Sequence, residues 1–317
     1  MEGVMYRKIV VPLDGSIFGE HALPLAVSIA RRSGAAVHLV HVHSPLEAVY
    51  LEGAGYFDDA LDEHLKRQHR EYMDGLVKRL RSLCPGGADA ELLEGAVAPV
   101  LEQHASKIGA DLVIMTTHGR GPFKRFWLGS VADELVRSLP MPLLLVHPGD
   151  RPPDLASDPV LKHVLVPLDG TPLAESMLGP AMELGTLMGA EFTLLRVIKP
   201  VMPVTYRPEG LGIDLEAQVL IERVERIQGE LRKKAEEYLF EVSKRFRDRL
   251  LKVHTKVEVE YNPADAILAH AKAANVDLIA LETHGRHGLR RLILGSITDK
   301  VIRASHVAVM VHRPLNT

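Results

Sequence analysis

Two pairs of matching strings, repeated in the same order, constrain this chain more than any other feature. Residues 8–16 read KIVVPLDGS and residues 163–171 read HVLVPLDGT. Residues 111–130 read DLVIMTTHGRGPFKRFWLGS, and residues 277–296 read DLIALETHGRHGLRRLILGS. The offset is 155 positions for Asp14 and Asp169, and 166 for both Gly119/Gly285 and Gly129/Gly295. So long a period means two duplicated domains rather than a solenoid of small repeats. The 317 residues agree with two domains of about 150 residues each. Residues 149–159, GDRPPDLASDP, are polar and proline-rich and read as a linker. The expected domains are therefore 1–148 and 160–317. The extra length of the second copy falls between its second and third strands.

Each copy alternates strand and helix. Ile9–Leu13 is a short apolar run ended by Asp14-Gly15, which predicts a buried strand and a turn. A helix follows from about Gly19 to Ser33, with Gly34 marking its end. Further strands are expected at Val37–Val42, Glu91–Glu94, Leu112–Met115 and Leu143–Val146. Helices are expected over 58–83, Pro99–Ile108 and Ser130–Ser138. On the first of these, Leu61, Leu65, Tyr72, Leu76, Leu80 and Leu83 share one face. The second copy follows the same order, with a long amphipathic helix over roughly 214–250. There Leu220, Val224, Ile227, Leu231, Tyr238, Val242, Phe246 and Leu250 keep helical spacing. Strands alternating with helices predict α/β domains, each a doubly wound, mainly parallel five-stranded sheet with helices on both faces.

A net charge of −3 gives no sign of a general nucleic-acid binder. The one cysteine, Cys84, excludes an intrachain disulfide and fits a reducing compartment. No apolar run approaches the roughly 20 residues of a membrane span, and the first apolar stretch is too short for a signal peptide. A cytoplasmic protein with neither nucleic-acid nor membrane partners is expected.

In doubly wound sheets, ligands bind beyond the carboxyl ends of strands, where strand order reverses. The repeated polar residues fall at such places. Asp14 and Asp169 follow the first strand of each copy. Thr117-His118-Gly119-Arg120 and Thr283-His284-Gly285-Arg286 follow the fourth, and Gly129-Ser130 and Gly295-Ser296 open a helix. Free N–H groups at a helix start favour an anion, and a glycine lets backbone approach it closely. Arg120, Lys124 and Arg125 add positive charge in copy 1, as do Arg286, Arg290 and Arg291 in copy 2. A carboxylate at Asp14 suits a base amino group or a ribose hydroxyl rather than phosphate. Each residue also has a plainer reading. Asp14 is a common turn residue before Gly15, and Ser130 can serve as a helix cap. His41 and His43 share one face of a strand, but no nearby cysteine completes a metal site. Trp127 reads as a packing residue.

These motifs resemble the universal stress protein family over nearly the whole chain. The family's nucleotide motif is Gly, two residues, Gly, nine residues, Gly, then Ser or Thr. Gly119 with Gly129-Ser130, and Gly285 with Gly295-Ser296, match its last part. The resemblance implies an adenine nucleotide alpha hydrolase-like fold and ATP, with or without Mg2+, as ligand. It implies adenine contacts from Asp14 and Asp169, and from the backbone of Val42 and Val197. Pro12, Val131, Pro167 and Ile297 flank these positions and complete the candidate set with His118, Arg120 and Arg286. The family's first motif glycine is Thr116 in copy 1 and Glu282 in copy 2. A glutamate beside a triphosphate is repulsive unless it turns away or holds a metal.

Family members pair through their last strands. A tandem chain can place Leu143–Val146 beside Val307–Val311 within one molecule, as an internal pseudo-dimer. A homo-dimer of such chains and a further protein partner are also compatible. Three functions remain open at this level: a nucleotide-binding stress or regulatory protein, an enzyme of a related hydrolase-like fold, and an interaction module without nucleotide. SGGxDS, HIGH and KMSKS signatures are absent from the sequence.

Overall fold

The computed structural model describes residues 6–44, 49–51, 54–56, 59–117, 128–149, 151–202, 214–283 and 294–313. The first domain runs β1 (Lys8–Pro12), a 3-10 turn (Gly19–Ala22), α1 (Leu23–Ser33) and β2 (Ala36–His43). It continues with β3 (Val49–Leu51), β4 (Ala54–Tyr56), α2 (Asp59–Leu80), β5 (Ala88–Glu94), α3 (Val97–Lys107), β6 (Leu112–Thr116), α4 (Ser130–Ser138) and β7 (Leu143–Val146). The second domain comprises β8 (His163–Pro167), α5 (Pro172–Glu175), α6 (Leu178–Met188), β9 (Glu191–Ile198) and α7 (Asp214–Arg247). It ends with β10 (Val253–Val259), α8 (Pro263–Ala273), β11 (Leu278–Glu282), α9 (Ser296–Ala304) and β12 (Ala308–His312).

The two expected five-stranded sheets are halves of one ten-stranded sheet. Its order is β10-β9-β8-β11-β12-β7-β6-β1-β2-β5. Every pairing within a half is parallel, and the seam between β12 and β7 is antiparallel. At the seam, Val309, Met310 and Val311 lie opposite Leu145, Leu144 and Leu143, so the expected pairing of last strands forms. Both faces of the sheet are covered. Residues of α1, α2, α6 and α7 share one core that crosses the seam, while those of α3, α4, α8 and α9 share the other. That double burial explains why the strands are continuous apolar runs rather than alternating ones.

Local chemistry sets the boundaries. Gly34 and Gly189 close α1 and α6 in the left-handed region, at φ 76° and 68°, where a Cβ is costly. The chain after Gly19 makes a 3-10 turn before α1, because Pro24 sets the true helical start at Leu23. The β3–β4 hairpin was not foreseen from the sequence. On α2 the expected stripe holds only in the carboxyl half: Met73, Leu76, Val77 and Leu80 are buried, while Leu61 is exposed. On α7 likewise, Ala235, Leu239, Val242 and Phe246 pack on the sheet, whereas Leu220, Leu231 and Leu250 are exposed. Leu250 lies beyond the helix with φ 59°. Cys84 sits in the core, and burial pushes its thiol pKa up.

The segment between the domains is docked along α1. The Ser28 hydroxyl donates to the Pro159 carbonyl at 2.6 Å, and Arg32 makes two 2.8 Å bonds to the Asp158 carboxylate. Those bonds hold the Asp158 carboxyl at a pKa of about 2.

Gly185 on α6 faces the fully buried ring of Phe192, and a Cβ there would overlap that ring. Gly185→Ala should therefore destabilise the protein by about 1–3 kcal/mol despite the better helix propensity of alanine. Chemical denaturation reads this directly, and an unchanged midpoint would contradict the packing described.

Candidate functional site

Strand order reverses between β1 and β6, the topological switch point of the first domain. A cavity of about 530 Å3 opens there. The ends of three strands wall it: Pro12, Leu13 and Asp14 at the end of β1, Val40 to Ser44 at the end of β2, and Met115, Thr116 and Thr117 at the end of β6. Helices close it with Leu65 and His69 from α2, Val97 and Leu101 from α3, and Gly129 to Ala132 at the start of α4. The structure thus gathers Pro12, Asp14, Val42, Thr116, Gly129, Ser130 and Val131 around one space. His118, Gly119, Arg120, Lys124, Arg125 and Trp127 lie outside the described residues, as do His284, Gly285, Arg286, Arg290 and Arg291.

Asp14 makes the turn that one reading expected. Its Oδ1 accepts from the Ser16 amide at 3.0 Å and from the Ser16 hydroxyl at 2.6 Å. Asp169 repeats this with Thr171, at 2.9 and 2.5 Å. The turn holds the carboxylate at the cavity wall, so the turn role and a ligand role are compatible. Gly19 also lines the cavity, and a Cβ there would stand 2.8 Å from Asp14 Oδ1. In the sequence, Gly19 reads only as a helix start.

The residue at the N-cap of α4 is Gly129, at φ −61° and ψ 151°, with no side-chain cap. Ser130 is the first helical residue rather than the cap. The first amides of α4 therefore carry no capping side chain where the helix meets the cavity, an arrangement suited to an anion. Gly295 and Ser296 repeat the geometry at α9.

Three histidines wall the cavity, a feature that face-sharing on β2 hinted at only in part. His41 donates its Nδ1–H to the Leu13 carbonyl at 2.8 Å. The His41 and His69 rings lie 4.1 Å apart, and those of His43 and His69 5.6 Å. His43 Nε2 meets the buried Asp62 carboxylate at 2.7 Å, and Lys66 bridges Asp62 and Glu94 at 3.0 Å each. The hydrogen bond to Asp62, followed by that to Glu94, raises the Lys66 pKa. The result is a polar wall of mutually tilted rings in a cavity also lined by the apolar side chains of Val97 and Leu101.

The second domain keeps the turn and the helix start but alters the wall. Pro167 ends β8 and Val197 lies on β9. At the position of His41 stands Arg196, whose Nη1 donates to the Leu168 carbonyl at 3.1 Å. Ile198 and Ala235 replace His43 and His69. Glu282, at the position of Thr116, is buried, and accepts from the Ser176 and Thr283 hydroxyls at 3.1 Å each. Ile297, beside Ser296, is exposed. A separate hollow of about 510 Å3 between α7 and β10 is lined mainly by charged side chains and carries none of the repeated residues.

Residues 5–147 and 161–313 each match the universal stress protein family. The universal stress protein Rv2005c of Mycobacterium tuberculosis is 27% identical over 316 residues, covering 96% of both chains. Universal stress protein MJ0531 of Methanocaldococcus jannaschii is 32% identical over 142 residues, 45% of this chain and 82% of its own length. Among solved structures, a universal stress protein from Archaeoglobus fulgidus superposes with a TM-score of 0.63 at 19% identity. It covers 97% of this chain and 96% of its own. No helix among the described residues is long and apolar enough to cross a membrane.

Proposed function

The chain belongs to the universal stress protein family, and from that premise we propose that its first domain binds ATP, with Mg2+, as a regulatory ligand with little turnover. The observation that carries this reading is the convergence of Asp14, Val42, Thr116, Gly129 and Ser130 on one cavity at the switch point. Its volume of about 530 Å3 falls within the roughly 300–1,000 Å3 of ordinary small-molecule sites. The adenine lies between the histidine wall and the apolar side chains, with Asp14 accepting from its amino group or from the ribose. The phosphates lie at the start of α4. Such a nucleotide-responsive protein belongs in the cytoplasm, where ATP is made.

In the second domain, Arg196 and Glu282 stand at the places of His41 and Thr116, which line the first domain's cavity. That domain is then the non-binding half of the pair, the interaction-module reading confined to one copy. Titration of the full chain with a fluorescent ATP analogue tests the proposal, and Asp14→Ala should weaken binding while Asp169→Ala should not.

Hydrolysis should be slow. Near the α4 start, Asp133 is held by Arg137 at 2.9 Å rather than presented as a base, and the neighbouring Glu134 is exposed to solvent. We expect phosphate release far below the roughly 10 per second typical of enzymes. Multiple turnovers at enzymatic rates, co-purifying with the protein and abolished by Asp14→Ala, would contradict this.

A further inference from the structure

A second cluster lies outside this cavity, between the edge strand β5 and helix α3. His38 on β2 and His104 on α3 are both buried, and their Nε2 atoms approach to 2.8 Å. The Glu91 carboxylate, half exposed on β5, stands 4.0 Å from one Nε2 and 3.8 Å from the other. Behind them, Asp89 accepts from His38 Nδ1 at 2.8 Å, which turns the Nε2 lone pair of His38 toward His104. Two neutral imidazoles this close either share one proton or share a metal ion. Burial, the largest influence, lowers the His104 pKa, although Glu91 opposes it.

We propose that His38, His104 and Glu91 form a Zn2+ site on the outer edge of the first domain. Two imidazole nitrogens and one carboxylate oxygen, all within 4.8 Å of one another, are a ligand set that zinc accepts at about 2.0–2.2 Å per bond. Tetrahedral ligand atoms at such bond lengths stand about 3.4 Å apart, so the exposed Glu91 carboxylate closes from 3.8 and 4.0 Å by roughly half an ångström and the two Nε2 atoms separate from 2.8 Å by a similar amount. Asp89 supplies the outer carboxylate that commonly orients a zinc-bound histidine. A solvent-facing fourth position is left for water. The ion ties the sheet edge to α3.

The second domain serves as a built-in control. Matching strand registers put Thr193 at the place of His38, His254 at that of Asp89 and Lys256 at that of Glu91. His270 alone keeps the place of His104. A lysine where the metal's carboxylate would be is a fixed cation, so the site exists in one copy only.

The test is Zn2+ titration of the metal-stripped full chain against a chromophoric chelator, with Co2+ absorption as a report of geometry. One Zn2+ per chain is expected at this site, with a tetrahedral Co2+ spectrum. His38→Ala and His104→Ala should abolish it, Asp89→Asn should weaken it about 10–100-fold, and His270→Ala should leave it unchanged. Glu91→Lys imports the residue of the second copy at an exposed position, so it tests the site even if the buried histidine variants fail to fold. It should abolish the tetrahedral Co2+ signal. Unchanged uptake in Glu91→Lys, or no uptake by the native chain at micromolar Zn2+, would overturn the proposal.

Discussion

Replacing Arg196 with His and Glu282 with Thr in the full-length chain is expected to raise the Mg-ATP affinity of the second domain at least tenfold. The reason lies in what those two side chains occupy. Glu282 is buried at the end of β11, at the position where Thr116 lines the first domain's cavity. Two like charges ~4 Å apart repel by about 4 kcal/mol at an effective dielectric of 20. Solvent and Mg2+ reduce that, but 1.4 kcal/mol already corresponds to tenfold. Arg196 adds bulk where His41 stands in the first copy, since both side chains bond to matching carbonyls, Leu168 and Leu13. The double substitution therefore removes the buried Glu282 carboxylate and replaces the longer Arg196 side chain, at the loss of its cation. The experiment is best read in an Asp14→Ala background, where binding at the first site is weakened. A second domain that stays silent after both changes would contradict the assignment of the asymmetry to these residues.

Leu144→Asp should destabilise the whole molecule by at least about 4 kcal/mol. Leu144 is fully buried at the seam opposite Met310. Truncating a buried leucine alone costs about 2–5 kcal/mol, and an unpaired buried carboxylate adds a further penalty. For domains of this size that corresponds to a fall in Tm on the order of 10 °C. Both cores cross the seam, so the two domains should melt together rather than one after the other. Calorimetric scanning of native and variant chains distinguishes these cases. Two separate native transitions, with only the first moved by the substitution, would show that the domains fold independently.

Much of this architecture was readable because its signals were local or repeated. The strand runs at Ile9–Leu13 and Leu143–Val146, the glycine at 34 and the duplicated Gly-Ser helix starts each name an element without knowledge of its neighbours. The gathering of Asp14, Thr116 and Gly129 followed from strand ends at a switch point, and the structure brings them together. Other features depended on distant partners. His69 joins His41 and His43 only because α2 folds back over β2. The Asp62–Lys66 pair breaks the apolar stripe of α2 for the same reason, since Asp62 is bonded to His43. The stripe on α7 overran its packed half, because helical spacing alone does not say where the sheet ends. His38 and His104 are 66 residues apart, and nothing in their spacing announces that their nitrogens meet.

The central claim is a single adenine-nucleotide site in the first domain, and the most direct test is calorimetric titration of the full-length chain with Mg-ATP. The native chain should bind one equivalent. Asp14→Ala should weaken that binding more than tenfold, because a hydrogen bond to a charged group is worth about 1.5–3 kcal/mol. No binding by the native chain, or binding that survives Asp14→Ala and is lost in Asp169→Ala, would contradict the account.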